Sequence, residues 1–341
     1  MKLLVTGGAG FIGSHFLRGW LRQHPADMLV NLDSLTYAGS RERVRDVEST
    51  GSYQFSHGDI CDRDTVRRAM ERCDVVVHFA AETHVDRSIA DATPFLRTNV
   101  EGTYVLLQAA HAAGVKRFLH VSTDEVYGPV LDGAVDESAA LSPRSPYAAS
   151  KAAGDLIAQA FYRTHGLAVI VVRPTNIFGP AQLPEKFIPL CIANSSEGLP
   201  VPIYGDGQQQ RAWLFVGDLC EAMELIVDRG QVGESYNIAG GNERTNVETA
   251  RSILSLLGRP TQLLQFVTDR PGHDRRYAMI DTKLRGLGWQ PKTSFDDGLT
   301  QTVAWYREHH DWWRPLVARL RQDSHHWLDR AAQPEPSAAS S

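Results

Sequence analysis

Cysteine is scarce here: the chain of 341 residues has four, Cys61, Cys73, Cys191 and Cys220. They form no CxxC pair and no cluster with histidine, which argues against a disulfide framework and against a metal site. Free, buried thiols in a reducing compartment are expected instead. Long apolar runs are also missing, so no membrane span is expected. The opening Met1-Lys2-Leu3-Leu4-Val5 is too short for a signal peptide, and a cytoplasmic protein is the expectation. Nor is there an excess of positive charge: 35 Lys and Arg stand against 40 Asp and Glu, a formal net charge of -5. Such a chain offers no broad basic field to nucleic acid or to an anionic membrane. Any anionic ligand must be held by a few local Arg and Lys side chains. The length suffices for one large domain or two modest ones, and no internal repeat is visible.

What the sequence does have begins at once. Lys2 to Val5 reads as a short strand, followed by Gly7-x-x-Gly10-x-x-Gly13 and then by apolar residues at helical spacing. A second apolar run, Met28 to Leu32, ends at Asp33. Strand, glycine turn, helix, strand and acid form the context that a dinucleotide fingerprint requires. The glycines admit a tight turn and close approach of a pyrophosphate, and the helix amino terminus faces it with free N–H groups. A carboxylate at Asp33 suits ribose hydroxyls and repels a 2′-phosphate, so NAD is expected rather than NADP.

The alternation of strand and helix continues. Strands are expected at 53–57, 74–79, 117–121 and 168–172, and helices at 64–72, 94–113 and 147–164. This pattern is that of an α/β doubly wound parallel sheet. The strand ending at Val121 runs into Ser122-Thr123-Asp124-Glu125-Val126-Tyr127-Gly128. Ligands bind at the carboxyl ends of such strands. Two adjacent acids beside a hydroxyl there are either a solvated strand exit or an acid/base pair. Downstream, Tyr147 and Lys151 lie four residues apart and share one helix face. They are either a surface pair or a phenol whose proton affinity is lowered by an ammonium, fit to take an alcohol proton. From Arg173 onward turn formers and polar residues mark departure from the sheet. The segment Asp269 to Arg276 is either a solvated loop or a set of Arg donors for a diphosphate.

Taken together these motifs resemble extended short-chain dehydrogenase/reductases, and among them the NAD-dependent nucleotide-sugar 4,6-dehydratases, over nearly everything from Met1 to about Trp313. The Thr123-Asp124-Glu125 triplet carries the dehydratase part of the resemblance. The segments 80–88, 184–189 and 269–276 add to it. The resemblance implies a Rossmann-type fold, with residues 1–174 holding NAD, returns to that region near 212–240, a smaller mixed α/β region at 175–325 for substrate, and a disordered tail at 326–341. It implies catalytic roles for Thr123, Asp124, Glu125, Tyr147 and Lys151. Cofactor contacts are expected from Gly7, Gly10, Phe11, Ile12, Gly13, Asp33, Ser34, Leu35, Thr36, Asp59, Ile60, Ala80, Ala81, Thr83, Thr98, Tyr147, Lys151 and Ile177. Substrate contacts are expected from Thr83, Thr123, Asn176, Lys186, Phe187, Pro202, Tyr204, Arg211, Asn246, Arg270 and His273. The implied ligand is a nucleotide-diphosphate sugar, dTDP-glucose ahead of UDP-glucose, with a 4-epimerase or decarboxylase as the other reaction class. No metal is expected, and a homodimer is. Two wordings depart from the family: Ala212 stands where an Asp is usual, and Thr175-Asn176-Ile177-Phe178 replaces the common Asn-Asn-Tyr.

Overall fold

The computed structural model describes residues 1–323, so the tail expected at 326–341 lies outside the described residues. Six strands come from the first half of the chain: β1 (Lys2–Thr6), β2 (Met28–Asp33), β3 (Tyr53–His57), β4 (Val75–His78), β5 (Arg117–Val121) and β6 (Val169–Pro174). Six more follow: β7 (Asn176–Phe178), β8 (Val201–Tyr204), β9 (Gln210–Phe215), β10 (Ser235–Ile238), β11 (Asn242–Thr245) and β12 (Leu264–Val267). A seven-stranded sheet has the order β10-β6-β5-β4-β1-β2-β3, and every pairing in it is parallel.

Parallel strands covered on both faces read as near-continuous apolar runs, and that is what makes them readable in the sequence. Alternate residues serve opposite faces. Leu3, Val5, Val75 and Val77 pack with Phe16, Leu17 and Trp20 of the helix Phe11–Gln23 and with Met223 and Ile226 of the helix Val216–Arg229. Leu4, Val76, Phe118 and Val171 pack on the other face with Leu106 and Ala110 of the helix Thr103–Ala113 and Phe161 of the helix Pro146–His165. Each such side chain contributes about 1.5–3 kcal/mol by leaving water, so the sheet is the rigid frame of the molecule.

The chain runs from β1 outward to β3 and returns to β4 on the other side of β1. The carboxyl ends of β1 and β4 therefore diverge into a crevice, the switch point where ligands bind in sheets of this kind. Strands β11, β9 and β7 form a small mixed sheet, and β8 pairs with β12. A separate apolar cluster supports this part, including Phe178, Ile192, Trp213, Phe295, Tyr306 and Trp313. Among the described residues no helix is long and apolar enough to cross a membrane.

The helix expected at 94–113 is interrupted. Thr93–Phe95 passes into a π-helical segment, Leu96–Gly102, before the α-helix Thr103–Ala113. The insertion has an identifiable anchor: Asn99 accepts from the Glu82 amide (2.9 Å), donates to the Glu82 carbonyl (3.0 Å) and donates to Ser150 Oγ (2.9 Å). One side chain thus joins the loop after β4 to the helix that carries Tyr147.

Candidate active site

Gly7 leaves β1 with φ +70°, a conformation that glycine adopts without strain. A Cβ there would stand 2.7 Å from the Ala80 nitrogen, and one on Gly13 would stand 2.4 Å from the Gly7 carbonyl oxygen. The helix Phe11–Gln23 starts at Gly10 with no side-chain cap, which leaves its first N–H groups free for an anion. Asp33 ends β2, and its carboxylate accepts from the Ala9 amide (2.9 Å) and the Leu35 amide (2.8 Å). Leu35 adopts φ 50°, and this turn presents Ser34 and Thr36 to the same cavity. The cavity, of ≈ 620 Å³, is also lined by Gly7, Gly10, Phe11, Ile12, Gly13, Asp59, Ile60, Ala80, Ala81, Thr83, Thr98 and Ile177. An uncapped helix start, a glycine cradle and a ribose-facing acid fit NAD. Every expected cofactor residue lines this space except Leu35, whose part is to shape the Asp33 turn.

Gly7→Ala tests that cradle. The left-handed backbone costs about 1–2 kcal/mol for an L-residue, before any displacement of Ala80. Thermal unfolding is expected to fall by several degrees, and added NAD is expected to raise the midpoint far less than in the wild type.

The same cavity ends at the exit of β5. Thr123 caps a single turn, Asp124–Tyr127, and its Oγ1 accepts from the Glu125 amide (3.3 Å) and donates to Asp124 Oδ1 (3.2 Å). Gly128 closes the turn at φ +74° against the Ser142 carbonyl. Across from it, Ser145 caps the helix Pro146–His165 by accepting from the Ala148 amide, with Pro146 in the first turn. Tyr147 and Lys151 both face the cavity. Lys151 Nζ donates to the Val121 carbonyl (2.7 Å), and Ser150 Oγ donates to the Tyr147 carbonyl (2.7 Å). Arg173 at the end of β6 donates to Asp155 (2.9 Å) and to Tyr127 Oη (2.7 Å), holding the middle of that helix to the sheet.

The charges here are set mainly by removal from water. Burial, then the neighbouring Glu125, pushes Asp124 up to about 7. Burial also raises Glu125, but Arg270, Arg211 and Lys186 oppose the rise. Burial pushes Lys151 down to about 8. For Tyr147 the sequence expectation needs correcting. Its phenol meets Thr123, and burial together with Glu125 raises its proton affinity above the ordinary value. A neighbouring ammonium does not offset that, because Lys151 is directed at a backbone carbonyl and is itself desolvated.

The expected substrate residues divide into two groups. Asn176 and Lys186 line the cavity with Thr83 and Thr123, and Lys186 Nζ donates to the Thr83 carbonyl (2.8 Å). Arg211, Arg270, Tyr204 and His273 do not line it; they form a cluster beside it. Arg270 pairs with Asp86 (3.2 Å), and Tyr204 Oη donates to the same Asp86 (3.3 Å). His273 pairs with Asp269 (2.6 Å), and its ring meets Tyr204 edge-on at 5.9 Å. Arg211 is buried over the Tyr277 ring (4.7 Å) and donates to the Asp274 carbonyl (3.0 Å). Phe187 opens the helix Phe187–Glu197, Pro202 lies in β8, and Asn246 begins the helix Asn246–Leu256; these three also lie off the cavity wall. Sequence reasoning missed Glu82, Thr175, Gln182 and Glu185, all of which line it. Glu82 and Glu185 stand inside motifs already singled out, so their polarity at those positions was the available signal.

Known proteins share the scaffold and much of the sequence. The family model described as GDP-mannose 4,6 dehydratase matches residues 4–302. The dTDP-glucose 4,6-dehydratase of Streptomyces niveus is 50% identical over 321 residues, covering 93% of this chain and 96% of that protein. Among solved structures, the dTDP-glucose 4,6-dehydratase of Streptomyces venezuelae with NAD bound has 50% identity and a TM-score of 0.91, covering 93% of this chain and 100% of that one. A UDP-glucose 4-epimerase of Thermus thermophilus in complex with NAD has 32% identity and a TM-score of 0.84, covering 91% and 100%. The glycine cradle and the Tyr/Lys helix suit both reactions, and the match extends over almost the whole length of each partner. The chain belongs to the NAD-dependent nucleotide-sugar 4,6-dehydratases of the extended short-chain dehydrogenase/reductases.

Proposed function

We propose that the protein is a dTDP-glucose 4,6-dehydratase, converting dTDP-glucose into dTDP-4-dehydro-6-deoxy-glucose without net oxidation. The observation that carries this reading is the carboxyl pair Asp124 and Glu125, set beside Tyr147 at the inner end of a cavity fit for NAD. An epimerase needs a base at C4 and no acid/base pair beyond it. Elimination of water across C5 and C6 needs both. NAD, when bound, accepts hydride from C4 and returns it to C6.

The residues divide the proton transfers among them. Tyr147 takes the C4 hydroxyl proton, with Thr123 holding that hydroxyl in place. The ketone formed at C4 acidifies the C5–H, and Glu125 removes that proton and gives it back to C5 when hydride adds at C6. Asp124, protonated, gives its proton to the C6 hydroxyl, which leaves as water while the C5–C6 double bond forms. One carboxyl cannot serve as base and acid in the same step, but two with separated proton affinities can. Both line the cavity, but Asp124 has lost nearly all its contact with solvent, whereas three cations oppose protonation of Glu125. Lys186, Arg211 and Arg270 supply the local positive charge for a diphosphate that the net charge of the chain does not.

Incubation with dTDP-glucose, and separately with UDP-glucose, followed by mass spectrometry of the sugar nucleotide tests the reading. Loss of one water from dTDP-glucose, with a keto product absorbing in base, is the expected result. Loss from UDP-glucose alone would move the assignment to the uridine nucleotide. Absence of water loss from both would overturn the dehydratase reading.

A further inference from the structure

Thr175 sits between β6 and β7 and is buried; the sequence marks it only as part of a wording that departs from the family, with no role attached. Its amide donates to the Ile238 carbonyl (3.1 Å), which fixes the backbone at the edge of the large sheet. Its hydroxyl lies 2.9 Å from the Ala212 carbonyl oxygen and 3.3 Å from Asp124 Oδ2. The register of β7 on β9, with Asn176 opposite Trp213, is what brings Thr175 to Ala212.

A hydroxyl has one proton to donate and lone pairs to accept with. A backbone carbonyl has none to give, so the shorter contact commits the Thr175 proton to Ala212. What Thr175 then offers Asp124 Oδ2 is a lone pair, and a lone pair holds only an O–H. The other carboxyl oxygen sees the reverse. Thr123 Oγ1 accepts from the Glu125 amide, lies against the Tyr147 phenol and directs its own proton at Asp124 Oδ1. One oxygen of Asp124 therefore meets a donor and the other an acceptor, the pattern of a neutral carboxylic acid with its proton on Oδ2.

We propose that Thr175 is a positioning residue: its hydroxyl, tied to the Ala212 carbonyl, holds the proton of Asp124 in place until the departing C6 hydroxyl takes it. This inference rests on the dehydratase reading and assigns the acid of that reaction its proton site. It also gives position 212 a use that does not depend on its side chain, since the carbonyl oxygen is the anchor. The charged and titratable groups facing Asp124 are Glu125 from its own turn, Tyr147 from the helix opposite and Arg211 from β9.

The test compares wild type, Thr175→Val and Thr175→Ser with dTDP-glucose across a pH series. Valine keeps the shape and removes the hydroxyl. Water loss is expected to fail at lower pH in the Val variant, its alkaline limb moving down by about one unit, a tenfold change in the protonated fraction. Oxidation at C4 continues, so reduced cofactor accumulates, which a general loosening of the fold does not produce. Ser is expected to restore both the limb and the turnover. A Val variant with the wild-type alkaline limb, or a Ser variant that shares the Val defect, overturns the proposal. If the Val protein does not fold, Thr175→Ala gives the same comparison with less bulk. A wild type inactive on dTDP-glucose sinks the underlying function, whereas an active wild type with an unshifted Val variant sinks this inference alone.

Discussion

Tyr147→Phe is expected to stop the reaction at its first step, with no reduced cofactor, no exchange at C5 and no dehydrated product. The ring is buried and packs edge-on against Phe95 at 6.3 Å, so the phenylalanine ring keeps its place. Only the hydroxyl and its contact with Thr123 are lost. A positioned general base contributes roughly 10²–10⁴-fold, and turnover should fall by at least that factor. Single-turnover absorbance of the reduced cofactor measures the step directly. The pH dependence separates the two steps. Tyr147 holds its proton above the ordinary phenol range, so oxidation at C4 should rise as pH rises and the phenol gives that proton up. Water loss should instead decline as pH rises through about 7, where Asp124 gives up its proton. A Phe variant that oxidises the sugar at the wild-type rate would remove Tyr147 from the base role.

The raised proton affinity of Tyr147 in this pocket makes the prediction demanding. Burial and three carboxyl groups, Glu125, Asp124 and Asp155, all disfavour the phenolate. NAD, when bound, would bring the positive charge of its oxidised nicotinamide, and the uncapped helix start and glycine cradle would hold its pyrophosphate.

Much of this arrangement was legible because it is local. Buried parallel strands read as continuous apolar runs, and the glycine turn and Asp33 announce themselves by spacing alone. Tyr147 and Lys151 share a helix face by arithmetic. What could not be read depends on partners distant in the chain. The π-helical segment at Leu96–Gly102 turns on Asn99 meeting Glu82 and Ser150. Thr175 matters through a carbonyl at Ala212 and a carboxyl at Asp124. Arg211 and Arg270 were recognisable as phosphate-binding types, yet their tertiary pairing with Asp274 and Asp86 draws them off the cavity wall. Glu185 is engaged by Arg87 (3.5 Å), whose guanidinium also covers the Tyr37 ring at 4.0 Å, a contact among three segments that no spacing reveals. The direction of the Tyr147 shift was misread for the same reason: sequence gives the neighbour but not its orientation or its hydration.

Glu125→Gln separates elimination from oxidation. The amide keeps the size of the side chain and a hydrogen-bond acceptor, but it cannot hold a proton taken from C5. Oxidation at C4 should persist, since Tyr147, Lys151 and Thr123 are untouched. Exchange of the C5 hydrogen with solvent deuterium should fall by roughly 10²–10⁴-fold, and product should fall with it. Loss of the Glu125 charge also removes the largest charge neighbour raising Tyr147, so oxidation should become no harder and reduced cofactor should accumulate. The acid side of the pH profile carries an independent check. Burial raises the proton affinity of Glu125 against the pull of Arg270, Arg211 and Lys186, so the wild type loses its C5 base as pH falls through that raised value. The Gln variant has no such group to protonate, and its residual exchange should be flat over the same range. Deuterium incorporation at C5 equal to that of the wild type would remove Glu125 from the base role, and with it the division of labour between the two acids.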